Sequence, residues 1–168
     1  THSSRSSAKG MAGHVLEREQ LLPITLDEAW AFFSTPRNLA RITPPGMGLV
    51  VREPFDDAPA HTGQRITYTV RPLLGVPLFW ETLIEQVQAP NMFVDTQQRG
   101  PFKRWWHQHR FEAAQGGTLM HDRLEYELPL GLLGEFAHVM LIERRIRSIF
   151  DHRFATLQQH FADLSRTT

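Results

Sequence analysis

The sequence contains no cysteine. Disulfides, thiolate metal sites and a cysteine nucleophile are therefore excluded. Lysine is almost as scarce: Lys9 and Lys103 are the only two, so positive charge is carried by arginine. An excess of either sign is also missing, since 18 Lys and Arg balance 18 Asp and Glu. Without a positive field, neither nucleic acid nor an anionic membrane is an expected partner. No apolar run approaches the ~20 residues that cross a bilayer, so stable membrane insertion is not expected. No G-x-S-x-G turn is present to expose a nucleophilic serine. Residues 1–10 are Ser-rich and lack the apolar centre of a secretory signal. They read as a vector-derived tail ahead of Met11, with residues 11–168 as a single domain of a cytoplasmic protein.

What the chain does have is one long amphipathic stretch near its end. Between residues 132 and 161 there is no proline, and the only glycine, Gly134, lies at the start. At 100° per residue, Leu132, Phe136, Val139, Ile142, Ile146, Ile149, Phe150, Phe154, Leu157 and Phe161 share a broad face. Arg145, Ser148, Asp151 and His152 fall opposite. The spacing predicts a helix over residues 135–162, about 42 Å long. Glu143 interrupts the apolar face and has two readings. It pairs with Arg147 at i+4, worth about 0.2–0.5 kcal/mol, or it directs a carboxylate into a cavity beneath the helix.

The preceding chain is mostly β. Residues 14–22 read as an outer strand ended by Pro23. Thr25 and Glu28 have capping-box spacing ahead of a short helix, and Pro36 opens a second one that Pro44, Pro45 and Gly46 stop. Strands follow over 49–52, 64–71, 78–88, 92–98, 103–113 and 118–128. Their short connections favour an antiparallel meander over βαβ units.

The last hairpin is the best constrained. Trp105, His107, His109 and Phe111 share one face of its first strand; Met120, Asp122, Leu124 and Tyr126 share one face of its second. Either a two-residue turn at Gly116-Gly117 or a four-residue turn from Ala114 puts both sets on the same side. The four-residue turn sets His109 directly opposite Asp122; the shorter one makes them diagonal neighbours. A His109–Asp122 pair serves either as an interior hydrogen bond or as a general base whose tautomer the carboxylate fixes. Two histidines and an aspartate also suit zinc or iron, but the sequence offers no third strong ligand, so no metal and no cofactor is expected.

Several motifs together carry a family resemblance. They are Pro36-Arg37-Asn38-Leu39 with Ile42-Thr43-Pro44-Pro45, Gly100-Pro101-Phe102 followed by Trp105, His107, His109 and Phe111, then Gly116-Gly117-Thr118, Asp122, and Tyr126-Glu127-Leu128-Pro129 with Gly131. Over residues 14–163 the chain resembles the SRPBCC superfamily (START, Bet v1, polyketide cyclase and related domains), and most closely its bacterial stand-alone ligand-binding group. The resemblance implies an α+β helix-grip fold: a curved antiparallel sheet of six or seven strands wrapped around a long C-terminal helix, with two short helices after the first strand. It also implies a hydrophobic cavity between sheet and helix, but no particular ligand. The expected function is binding of a small hydrophobic or aromatic molecule there. The expected lining is Tyr68, Trp105, His107, His109, Asp122, Leu124, Tyr126, Glu143, Ile146 and Phe150. The alternative is a cyclase or dehydratase acting on a hydrophobic, polyketide-like substrate, with His109, Asp122 or Glu143 as its acid–base groups. Oligomeric state is not legible in these features.

Overall fold

A computed structural model describes residues 13–71, 75–129 and 136–164, with the side chains of 136–138 and 163–164 left aside. The proposed tail, the loop residues 72–74, and Leu132 and Gly134 of the amphipathic stretch lie outside the described residues.

The chain begins with β1 (Gly13–Leu22). Next come α1 (Leu26–Phe33) and α2 (Pro36–Arg41). Both of their starts follow from local chemistry. The Thr25 hydroxyl accepts from the Glu28 amide, and the Glu28 carboxylate accepts from the Thr25 amide at 2.7 Å, which satisfies two amides that a helix start leaves unpaired. Pro36 occupies the first turn of α2, where its fixed φ and missing N–H cost nothing. A short 3-10 turn (Pro45–Met47) leads to β2 (Val50–Val51). The remaining strands are β3 (Arg65–Val70), β4 (Leu78–Gln88), β5 (Met92–Arg99), β6 (Arg104–Ala114) and β7 (Gly117–Glu127). The chain closes with the 29-residue α3 (Phe136–Leu164).

The strands form one antiparallel sheet in the order β1-β7-β6-β5-β4-β3-β2, so α1 and α2 connect its two edges. Two register shifts in the β4–β5 pairing mark bulges that bend the strands, with Gln98 the extra residue on β5 and Glu85 the extra residue on β4. The predicted helix-grip fold is the observed one.

The β6–β7 register matches the four-residue prediction, with His109 opposite Asp122, and is closed one pair further by Ala114 opposite Gly117. The turn is therefore Gln115-Gly116, not Gly116-Gly117. Gly117 belongs to the strand for a steric reason. Its φ is +143°, and a Cβ there would collide with the Leu22 carbonyl on β1. Only glycine lets β1 approach so closely.

Two apolar clusters form the interior. One gathers Leu22, Ala29, Phe93, Phe111, Leu157 and Phe161, with Trp30 and Phe33 of α1 packed on it. The other gathers Leu16, Leu124, Tyr126, Leu128, Ile146 and Phe150. The stripe on α3 departs from the expected pattern at Arg153 and Phe154. Arg153 is only 8 % exposed, whereas Phe154 is 40 % exposed. The Arg153 guanidinium lies over the Phe150 ring and 3.9 Å from the Asp122 carboxylate, so a charge partner on the sheet draws the arginine inward. Among the described residues, no helix is long and apolar enough to cross a membrane.

Candidate functional site

Between the sheet and α3 lies a cavity of about 420 Å³. Its apolar wall includes Ile66, Tyr68, Trp80, Ile84, Phe93 and Trp105 from the sheet, and Ile142, Ile146, Ile149 and Phe150 from α3. Residues of α1 and α2, among them Phe33 and Leu39, complete it. Six of the residues expected to line it border this cavity: Tyr68, Trp105, His107, His109, Ile146 and Phe150.

The other four require correction. Asp122, Leu124 and Tyr126 point inward but are not part of the wall. Leu124 and Tyr126 are packed in the cluster with Leu16, Ile146 and Phe150, because α3 lies directly on the β7 side of the sheet. Asp122 stands behind the two histidines. Glu143 is also outside the wall: it pairs with Arg147 at 3.2 Å, and its side chain is 38 % exposed. The i+4 reading of this residue holds. Since exposed ion pairs are worth about 0–1 kcal/mol, Glu143→Gln is expected to shift a denaturant midpoint by well under 1 kcal/mol and to leave binding in the cavity unchanged. Arg145, predicted on the solvent side of α3, borders the cavity instead.

The polar part of the wall belongs to a knot of four side chains on neighbouring strands, the fourth of which, Asp122, stands behind it. Asp95 lies opposite His107, and His109 lies opposite Asp122. His109 Nε2 is 2.7 Å from Asp95 Oδ2, and His107 Nε2 is 3.1 Å from Asp122 Oδ1. His109 Nδ1 approaches the same Asp122 oxygen at 3.0 Å, but off the line of a good hydrogen bond. His107 Nδ1 is 3.7 Å from Asp95 Oδ2. Each imidazole thus bridges both carboxylates. Packing fixes the rings: His109 stacks on Phe93 at 4.2 Å, and His107 sits 5.5 Å from the Phe150 ring. Asp95, His107 and His109 face the cavity, as does Arg153.

Burial would raise both carboxyls, but their contacts with the imidazoles outweigh it. Asp95 lies below its ordinary value, and Asp122 well below. The histidines are driven apart. Burial and the neighbouring charge of His109 lower His107. Burial would lower His109 as well, but its contacts with Asp122 and Asp95 prevail and raise it. Two imidazoles of opposite tendency, touching one apolar cavity, are able to hold and to accept a proton at neutral pH. Burial and then Asp95 push the Tyr68 hydroxyl upward, so it stays neutral in the wall.

Sequence reasoning missed Asp95 and Arg153. For Arg153 there was no local signal, because its partner Asp122 lies on a distant strand and periodicity favours Phe154 for the inward place. For Asp95 there was little signal, because β5 has buried residues on both faces and β4 beside it is bulged.

Residues 21–161 match a family model described as Domain of unknown function (DUF8410). No curated protein matches the chain. Several solved structures share its fold. TTHA0849 from Thermus thermophilus is 16 % identical with a TM-score of 0.65, over 90 % of this chain and 99 % of that one. The di-domain ARO/CYC StfQ from the steffimycin biosynthetic pathway is 14 % identical with a TM-score of 0.67, over 94 % of this chain and 53 % of its own. Ginseng major latex-like protein 151 from Panax ginseng is 13 % identical with a TM-score of 0.61, over 89 % of this chain and 98 % of its own. At such identities the likeness is one of fold, the helix grip. With 141 consecutive residues, 21 to 161, matched to one model on this fold, the chain belongs to the DUF8410 family.

Proposed function

We propose that the protein binds a small, mostly apolar or aromatic molecule in the cavity between the sheet and α3. The observation that carries this reading is a volume of about 420 Å³ walled chiefly by aromatic and aliphatic side chains, with a few polar groups gathered at Asp95, His107 and His109. Small-molecule sites have this composition: apolar surface supplies the affinity, and a few fixed polar groups orient the ligand. The ligand's polar group is placed against the histidines and its apolar body against Ile66, Trp80 and Ile149. Titration with anilinonaphthalene sulfonate, followed by fluorescence, tests the reading. One saturable site is expected, and Ile149→Trp, which fills the cavity from the helix side, is expected to weaken it at least about tenfold, or about 1.4 kcal/mol. Equal binding by the filled variant would place the probe elsewhere and sink the reading.

A second reading draws on the same knot of residues. An acid–base enzyme of the cyclase or dehydratase type, acting on a hydrophobic substrate, needs a proton donor and acceptor on the cavity wall, and His107 and His109 are there with pKa values driven apart. The ARO/CYC name of one structural neighbour accords with this reading. His109→Gln distinguishes the two, since an enzyme loses turnover while retaining probe affinity and a binding module shows no turnover to lose.

A further inference from the structure

We propose that Asp95, His107 and His109 form a binding site for one divalent transition-metal ion at the polar wall of the cavity. Each imidazole turns one nitrogen to Asp122: His107 Nε2 at 3.1 Å and His109 Nδ1 at 3.0 Å. A carboxylate accepts hydrogen bonds, so Asp122 favours the proton on His107 Nε2. At His109 the formed bond is Nε2–H to Asp95 at 2.7 Å, and a metal ion takes that proton's place while the remaining N–H is the one beside Asp122. His107 Nδ1 and, once its proton is displaced, His109 Nε2 present lone pairs on the side of Asp95 Oδ2, at 3.7 and 2.7 Å.

Three electron-pair donors, one per residue, therefore lie within 4.8 Å of one another. Facing donors repel unless a cation stands between them. A proton on His109 meets this need for one contact only, the 2.7 Å bond to Asp95, whereas a metal ion meets it for all three. Donors about 2.0–2.2 Å from Zn²⁺ stand roughly 3.3 Å apart in a tetrahedron, and the two distances to Asp95 bracket that spacing. Two imidazoles and one carboxylate suit Zn²⁺ and the neighbouring first-row ions, not Ca²⁺ or Mg²⁺, which prefer oxygen.

The surroundings fit as well. A ligating histidine characteristically gives its other N–H to a carboxylate, and here Asp122 serves both rings at once. The Arg153 guanidinium lies 3.9 Å from the Asp122 oxygen Oδ2, which neither histidine uses, and its charge also acts on Asp95, so the ion competes with it for that carboxylate. All three donors border the cavity, so the remaining coordination positions face whatever enters it. The proposal goes beyond the apolar-ligand reading and does not depend on it.

The test uses the full chain stripped with a chelator and then titrated with Co²⁺ alone, followed by absorption spectroscopy and calorimetry. One saturable equivalent with a ligand-field spectrum of a nitrogen- and oxygen-bound ion is expected. Asp95→Asn and His107→Gln are each expected to weaken it at least about 100-fold, and Asp122→Asn about 10–100-fold through the loss of ring orientation. His121→Gln, an imidazole paired with Glu19 outside the knot, is expected to leave affinity unchanged. If a ligand variant fails to fold by circular dichroism, the wild-type imidazole resonances decide: those of His107 and His109 shift on addition of Zn²⁺, while that of His121 does not. Absence of a one-to-one site in the wild type, affinity that survives Asp95→Asn, or unshifted His107 and His109 resonances would overturn the proposal. Because the probe is the metal alone, failure here leaves the apolar cavity reading standing, and the reverse holds too.

Discussion

Asp122→Asn is expected to destabilise the metal-free protein by about 3–5 kcal/mol, the usual consequence of removing one partner from a buried charged group. Asp122 is 3 % exposed and contacts His107, His109 and Arg153. Without its charge, the buried Arg153 guanidinium loses its nearest carboxylate, and both it and His109 retain Asp95 alone. Urea midpoints for the two proteins give the difference directly. The pH dependence provides an independent signature. His109 is raised, so its contribution is complete below about 6.5, the unfolded value, and is lost as pH rises through the folded one. His107 is lowered, so its contribution is present above about 6.5 and is lost as pH falls through the folded value. The depressed carboxyls add a further loss on acidification below about 3.9. Stability of the wild type is therefore expected to peak near pH 6.5. In Asp122→Asn the alkaline decline flattens, because one of the two carboxylates that raise His109 is gone. An unchanged profile would mean that these groups do not titrate as a unit.

Phe111→Ala is the other large effect, again about 3–5 kcal/mol, but with a different functional outcome. Phe111 is fully buried, with ring centroids 5.2 Å from Phe33, 6.3 Å from Phe93 and 6.4 Å from Trp30. It ties α1 to the sheet behind the cavity without being part of the cavity wall. Truncation leaves a void that the aromatic neighbours fill only in part. Thermal or urea denaturation is expected to show the full loss, while probe affinity at about 10 °C, where the variant remains folded, changes by less than about tenfold. A Phe111→Ala protein of wild-type stability would contradict the packing described for α1.

How much of this was legible in the sequence depended on which neighbour decided each residue's place. The helix starts at Thr25 and Pro36 were legible because their causes lie within four residues. The inward row from Trp105 to Phe111 was legible because a regular strand alternates. Its partner row was legible because the hairpin turn has few solutions. Asp95 was not legible, since bulges on both strands of the β4–β5 pair, at Glu85 and Gln98, break the alternation on either side of it. Arg153 was not legible either: its burial answers to Asp122, 31 positions earlier in the chain. Hydrophobic periodicity assigns that place on the helix to Phe154. Glu143 shows the opposite case, where the local i+4 partner does decide. Leu124 and Tyr126 were placed on the correct side of the sheet, but periodicity does not show where α3 packs tightly and where it stands away to leave a cavity.

If the space between the sheet and α3 is built to hold an apolar molecule, native mass spectrometry of the freshly purified protein tests it most directly. The predicted result is a chain mass accompanied by a discrete adduct of a few hundred daltons, within what about 420 Å³ admits. That adduct is released on denaturation, displaced by excess apolar probe, and missing from Ile149→Trp. A bare chain mass, together with no saturable binding of any apolar probe at the cavity, would contradict the binding role.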